Sequence, residues 1–115
     1  MAPRTKLKDV KLLWSRSGNL CAFPRCRKEL STDSKASSDS FPLGEQAHIV
    51  GESKSFARGR SDLSEAERNS YFNLILLCPD HHTLIDKDDK AYTTERLHYI
   101  KDCHELWVRE RLGLT

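Results

Sequence analysis

Apolar positions change their period along the chain, and each change marks a predicted element. Leu7, Val10 and Trp14 recur at helical spacing and Gly18 stands where a helix would stop, so a helix is predicted over 6–17. The 21–26 stretch, with Pro24 inside it, reads as a tight turn. Positions 31–40 are polar and rich in serine, which predicts a loop without a core role. A short extended segment is expected within 41–50, ending on Ala47, His48, Ile49 and Val50, and a flexible basic loop over 51–60. Ser64 and Glu67 have the spacing of a capping box, so a short helix follows. The apolar run from Asn73 to Cys78 reads as a strand. Pro79 suits the first turn of the next helix, which carries His81, His82 and Asp86. Thr93 or Thr94 caps a last helix of about 94–112, with Leu97, Ile100, His104, Trp107 and Val108 as its apolar stripe. The class is α+β, in one domain over 1–115 without internal repeats.

Composition narrows this further. A chain of 115 residues buries only a modest core, so a structural metal or a partner would help it fold. With 37% hydrophobic and 31% charged residues it reads as soluble and globular, and no stretch reaches membrane-spanning length. The net charge of +2 is too small to argue for nucleic acid by itself. No apolar run follows the first six residues, so a reducing, cytoplasmic location is expected. There, cysteines close to histidines read as metal ligands rather than disulfides.

Cys21 and Cys26 are separated by four residues, Cys78 and His81 by two. Two short-range pairs far apart in sequence are the usual pattern of a tetrahedral zinc site, and thiolates with imidazole favour zinc over magnesium. Four protein ligands leave no open position, so the site is expected to be structural. The plainer alternative is that Cys21 and Cys26 are small buried residues. Cys103, inside the last helix and without a pair, is expected to pack in the core, as are His104 and the two tryptophans, while His98 is expected at the surface.

His82 and Asp86 are four apart and share one face of a helix, where they can hold a divalent ion that keeps positions open for water and a phosphate oxygen. His81 faces another side. The helical phase of a first turn leaves the reverse division between the adjacent histidines open. His48 cannot be assigned by spacing alone.

Taken in order, Ala47-His48-Ile49, Asn73-Leu74, Leu77-Cys78-Pro79 and His81-His82-x-x-x-Asp86 resemble the HNH endonuclease signature on the small ββα-metal (His-Me finger) fold, here with a zinc knuckle and flanking N- and C-terminal helices. The resemblance implies a catalytic core of about 41–90. It also implies roles: His48 as general base, Asn73 holding the loop and the base histidine in place, and His82 as metal ligand. Asp86 stands where some members carry a second histidine. It implies a catalytic divalent ion (magnesium, manganese, nickel or zinc) beside the structural zinc, and cleavage to 5′-phosphate and 3′-hydroxyl ends. Ala47 departs from the pattern, because many members place an aspartate or histidine ligand there. Glu45, Gln46 or water are the candidates to replace it. The surrounding residues 44–51 and 57–62, together with the 97–108 stretch, are similar to the nuclease half of HNH–SAVED anti-phage effectors, which cut double-stranded DNA. The sensor half of those effectors has no counterpart within 1–115, so either the isolated nuclease portion or a stand-alone relative is expected.

Lys54, Arg58 and Arg60 lie between the base and the metal-binding strand and are candidates to contact phosphates of DNA, against the alternative of solvated loop charges. No base-reading element is visible, so weak sequence preference is expected. Control by a regulatory partner, a sensor domain or homo-oligomer assembly is expected of a nuclease without a visible inhibitor. The competing function is a zinc-stabilised nucleic-acid- or protein-binding module that has lost activity, for which Ala47 is the best support.

Overall fold

The computed structural model describes residues 5–114. Helix α1 (Leu7–Arg16) is followed by strands β1 (Ser31–Asp33), β2 (Ser40–Pro42) and β3 (Glu45–His48). Next come the short helix α2 (Glu65–Arg68), a single 3₁₀ turn over Tyr71–Asn73, strand β4 (Leu74–Leu77), helix α3 (Pro79–Lys87) and helix α4 (Thr94–Arg111). The result is a small mixed assembly with two two-stranded antiparallel sheets, β1–β2 and β3–β4.

The β3–β4 pair forms the centre. Its register sets Glu45 opposite Leu77 and His48 opposite Leu74. All four residues of β4 are buried, as expected of a strand covered on both faces, with α1 packed on one part and α3 on another. Leu13, Leu30, Ile49, Ile85, Leu97 and Ile100 complete the core around it. Burying a leucine-sized side chain contributes roughly 1.5–3 kcal/mol, so β4 anchors everything that follows it in the chain.

The helix ends obey local chemistry. Ser64 and Glu67 form the reciprocal capping box of α2. Pro79 occupies the first turn of α3, and Thr93 rather than Thr94 caps α4 by accepting the Arg96 N–H at 3.2 Å. Gly18 takes φ 63°, the left-handed conformation glycine adopts at least cost just past a helix end.

The structure departs from the sequence reading in several places. Positions 31–40 are not wholly loop: β1 and β2 pair there, and the hydroxyls of Ser34 and Ser37 accept backbone N–H groups of the turn that joins them. Polar side chains hid these strands because the pair is almost fully exposed. In α1 the buried positions are Asp9 and Leu13, one step from the predicted stripe, and Leu7 is exposed. Asp9 is inside because its carboxylate accepts the Tyr71 N–H at 3.0 Å. Cys103 is exposed rather than packed in the core. His98 is half-buried and stacks on Phe72. His104 is buried as expected, bonded to the Ser17 carbonyl at 3.0 Å.

The segment from 51 to 63 is not a loose loop either. Two arginines are threaded into it. Arg68, 4% exposed, donates to the carbonyls of Gly51, Gly59, Ser61 and Leu63. Gly59 lies so close to the opposite side of the loop that a Cβ there would fall 2.1 Å from the Ser53 oxygen. Among the described residues, no helix is long and apolar enough to cross a membrane.

Candidate functional site

Two clusters of chemically capable side chains lie on either side of α3. The first gathers Cys21, Cys26, Cys78 and His81, whose ligand atoms all lie within 4.8 Å of one another. The segment after α1 is laid against β4 by the Ala22 N–H bond to the Leu76 carbonyl. Arg25 and Arg27 both take positive φ, which turns Cys26 back towards Cys21. Cys78 is the cap position of α3, and His81, three residues on, brings its Nδ1 to 3.3 Å from Cys78 Sγ and 3.7 Å from Cys21 Sγ. Phe23 stacks on the His81 ring at 4.0 Å and 6°, fixing its plane. Burial pushes the Cys21 thiol up to about 12, so a thiolate here requires a bound cation. Three sulfurs and one nitrogen converging in this way fit a metal ion.

The second cluster lines an open cleft of about 810 Å³ with Glu45, His48, His82 and Asp86 among its walls. His82 Nε2 and Asp86 Oδ2 stand 3.4 Å apart, the one-turn pair expected on a single helix face. On the other side of the ring, Glu45 Oε1 accepts from His82 Nδ1 at 2.8 Å. Gln46 instead takes the Trp14 indole N–H. The bond to Asp86 lifts the His82 imidazole above the ordinary histidine range against the effect of burial, and Glu45 adds to the rise. Burial works to raise the Asp86 carboxyl, but the bonds from His82 and Arg58 outweigh it and hold it low. A carboxylate–imidazole–carboxylate row of this kind attracts cations. A donor pair spaced like Nε2 and Oδ2 fits one divalent ion, with Glu45 holding the ring.

His48 ends β3 and opens on the same cleft, and its Nε2 lies 2.8 Å from the Asn69 side-chain oxygen. Asn73 is fully buried and brackets Val50, accepting its N–H at 2.9 Å and donating to its carbonyl at 2.8 Å. It thus fixes the main chain just beyond His48 without touching the His48 ring.

Arg58 corrects an expectation. Its side chain is 4% exposed. Nε donates to the Ile49 carbonyl, Nη1 to those of Ile85 and Tyr92, and Nη2 to the His48 carbonyl and to Asp86 Oδ1 at 2.7 Å. A guanidinium has five N–H donors, and all are committed to the protein. Arg58 therefore has none for a phosphate; it ties the loop, the end of β3 at His48 and Asp86 of α3 together. Lys54 and Arg60 are exposed and remain available.

Glu45, Asn69 and Arg68 were not singled out as definite site residues by the sequence. Glu45 stood only as one of three replacements for Ala47, and nothing in the 65–69 stretch suggests that its last asparagine meets a histidine 21 positions earlier. Replacing Arg58 with alanine is expected to leave buried carbonyls unpaired and lower stability by on the order of 3 kcal/mol. Arg58→Lys recovers little, because an ammonium cannot span these acceptors. Urea unfolding of the two variants checks this.

A comparison with curated proteins finds no match to the chain. A family model described as HNH endonuclease matches residues 21–89, a span that holds both clusters and leaves α1 and α4 outside. A family of metal-dependent nucleases acting on nucleic acid thus accounts for more than half of the chain, and the chain belongs to it: the HNH endonuclease family.

Proposed function

We propose that this chain is a metal-dependent endonuclease that hydrolyses phosphodiester bonds in DNA, double-stranded and with weak sequence preference. The observation that carries the reading is the cleft itself. His48 from β3 and the His82–Asp86 pair from α3 face one open space, apart from the Cys/His cluster.

Hydrolysis needs an activated water, relief of charge on the phosphoryl group, and help for the leaving oxygen. His48 serves as general base, taking the proton from the attacking water. His82 and Asp86 would hold the catalytic ion, on the family's ββα-metal plan. Bound there, a divalent ion supplies electrostatic stabilisation to the phosphoryl and leaving oxygens. Glu45 accepts the Nδ1 proton of His82 and so keeps Nε2 for the ion. Arg58 occupies one oxygen of Asp86 and leaves the other facing His82. Cys21, Cys26, Cys78 and His81 would hold zinc as a structural ion. Asn73 anchors the strand end that carries the base.

The competing reading, a binding module without activity, draws on Ala47, but the catalytic reading does not need a ligand at that position. The Ala47 side chain is fully buried in the core, and Glu45 supplies a carboxylate at the cleft instead. A role as an anti-phage effector, with activation by a partner or by assembly, rests on the motif likeness to HNH–SAVED nucleases alone.

Lys54 and Arg60 line a second, neighbouring pocket that shares Ser55 and the exposed Phe56 with the cleft, and they are the phosphate contacts of this reading. Replacing both with alanine should reduce the dependence of DNA affinity on salt by up to about two counterions, with zinc content unchanged. Titrations at several salt concentrations measure the slope; an unchanged slope assigns both residues to solvent. Nicking of a supercoiled plasmid on addition of magnesium or manganese tests the activity itself.

A further inference from the structure

We propose that Asn69 is a positioning residue for His48: it holds the ring and keeps the proton on Nε2, so that Nδ1 is the atom that accepts the proton from water. This rests on the reading of His48 as general base.

Asn69 is 6% exposed, so its amide must find partners inside the protein. One end lies 3.0 Å from the Glu65 carbonyl. A carbonyl only accepts, so that end is Nδ2. The other end is then Oδ1, and it lies 2.8 Å from His48 Nε2. An amide oxygen also only accepts, so Nε2 must donate. The flipped amide would set two oxygens against each other at Glu65 and lose that bond. In a neutral imidazole one nitrogen carries hydrogen and the other is the base, and a hydrogen bond at one decides which. Nδ1 is left as the base.

The scaffold behind Asn69 is well determined. Asn69 closes α2, its backbone N–H bonded to the carbonyl of Glu65 in the first turn, and the start of that helix is locked by the Ser64–Glu67 box. Arg68, the preceding residue, is buried in the carbonyls of the 51–63 loop. Two asparagines therefore divide the work on the base. Asn73 fixes the main chain at Val50 and Asn69 fixes the ring.

The test uses the zinc-loaded full chain and two variants. Asn69→Ala removes both bonds. Asn69→Asp keeps an acceptor for Nε2–H and loses the donor to Glu65, which separates the role at the ring from a role at the helix end. Nitrogen-15 NMR of the His48 imidazole and the kinetics of oligonucleotide cleavage are the two readouts. Wild type and Asn69→Asp should show a slowly exchanging Nε2–H. Asn69→Ala should lose that signal, and its kcat should fall about 10–100-fold with KM changed by no more than about twofold, as for a misplaced catalytic group. Asn69→Asp should keep most of the wild-type kcat. The proposal is overturned by an Nδ1–H tautomer in the wild type. It is equally overturned by an Asn69→Ala variant with wild-type kcat, or by Asn69→Asp falling as far as Asn69→Ala. The NMR needs no cleavage, so the two readings fail separately. A protein that holds Nε2–H yet cuts nothing overturns the nuclease reading, whereas one that cuts with Nδ1–H overturns the assignment to Asn69.

Discussion

Stripping a metal held by the Cys21, Cys26, Cys78 and His81 cluster is expected to unfold the domain. These side chains join the segment after α1 to the junction of β4 and α3, and Cys21 and Cys78 are themselves part of the core. Binding of a structural zinc contributes roughly 10–16 kcal/mol in small domains. Native domains are stable by only about 5–15 kcal/mol in total, so the loss is as large as the whole stability of an ordinary domain. Without the ion a neutral thiol must stay buried, since burial pushes Cys21 up to about 12. Metal uptake therefore displaces a proton, and affinity should fall as pH is lowered. Titration with a chelator, followed by circular dichroism and metal analysis, should show helicity lost in step with one zinc per chain. Cys78→Ser should behave as the chelated protein does. A metal-free chain that keeps its helicity and melts cooperatively contradicts the assignment.

His48→Ala is expected to remove cleavage while leaving the fold, the metal content and DNA binding in place. Imidazole is the side chain whose ordinary pKa lies near neutral pH, and of the two histidines that line this cleft, His82 is assigned to the ion, which leaves His48. Loss of a general base costs about 10²–10⁴-fold in rate. His82→Ala and Asp86→Ala should fail too, for a different reason: they weaken the hold on the catalytic ion. Raising the divalent-metal concentration should restore part of their activity and none of that of His48→Ala. Single-turnover cleavage across a metal titration separates the cases. Asp86→Ala also frees Arg58 Nη2, so its fold should be checked alongside its rate.

Much of this was legible in the sequence because it is written in local spacing. The cysteine pairs, the one-turn separation of His82 and Asp86, the capping box at Ser64 and the apolar run before Cys78 each depend on neighbours within a few residues. What escaped depends on long-range approach. Asn69 meets His48 across 21 residues and Glu45 meets His82 across 37, and no periodicity encodes either. Arg58 misled for a related reason. A basic loop ordinarily solvates its charges, but here five donors find backbone carbonyls and Asp86, so the charge is turned inward and becomes scaffold. The β1–β2 pair was missed because its exposed, serine-rich strands bury nothing that would mark them.

The central claim is that the cleft cuts DNA with His48 as base, and plasmid nicking by the zinc-loaded protein tests it most directly. Supercoiled plasmid is incubated with wild type and with His48→Ala, each shown to be folded, with and without magnesium or manganese. The account predicts that the wild type converts it to open-circular and linear forms only when the divalent ion is added, and that His48→Ala leaves it supercoiled. A folded, zinc-loaded wild type that leaves the plasmid intact with either ion, or a His48→Ala protein that cuts at the wild-type rate, contradicts it.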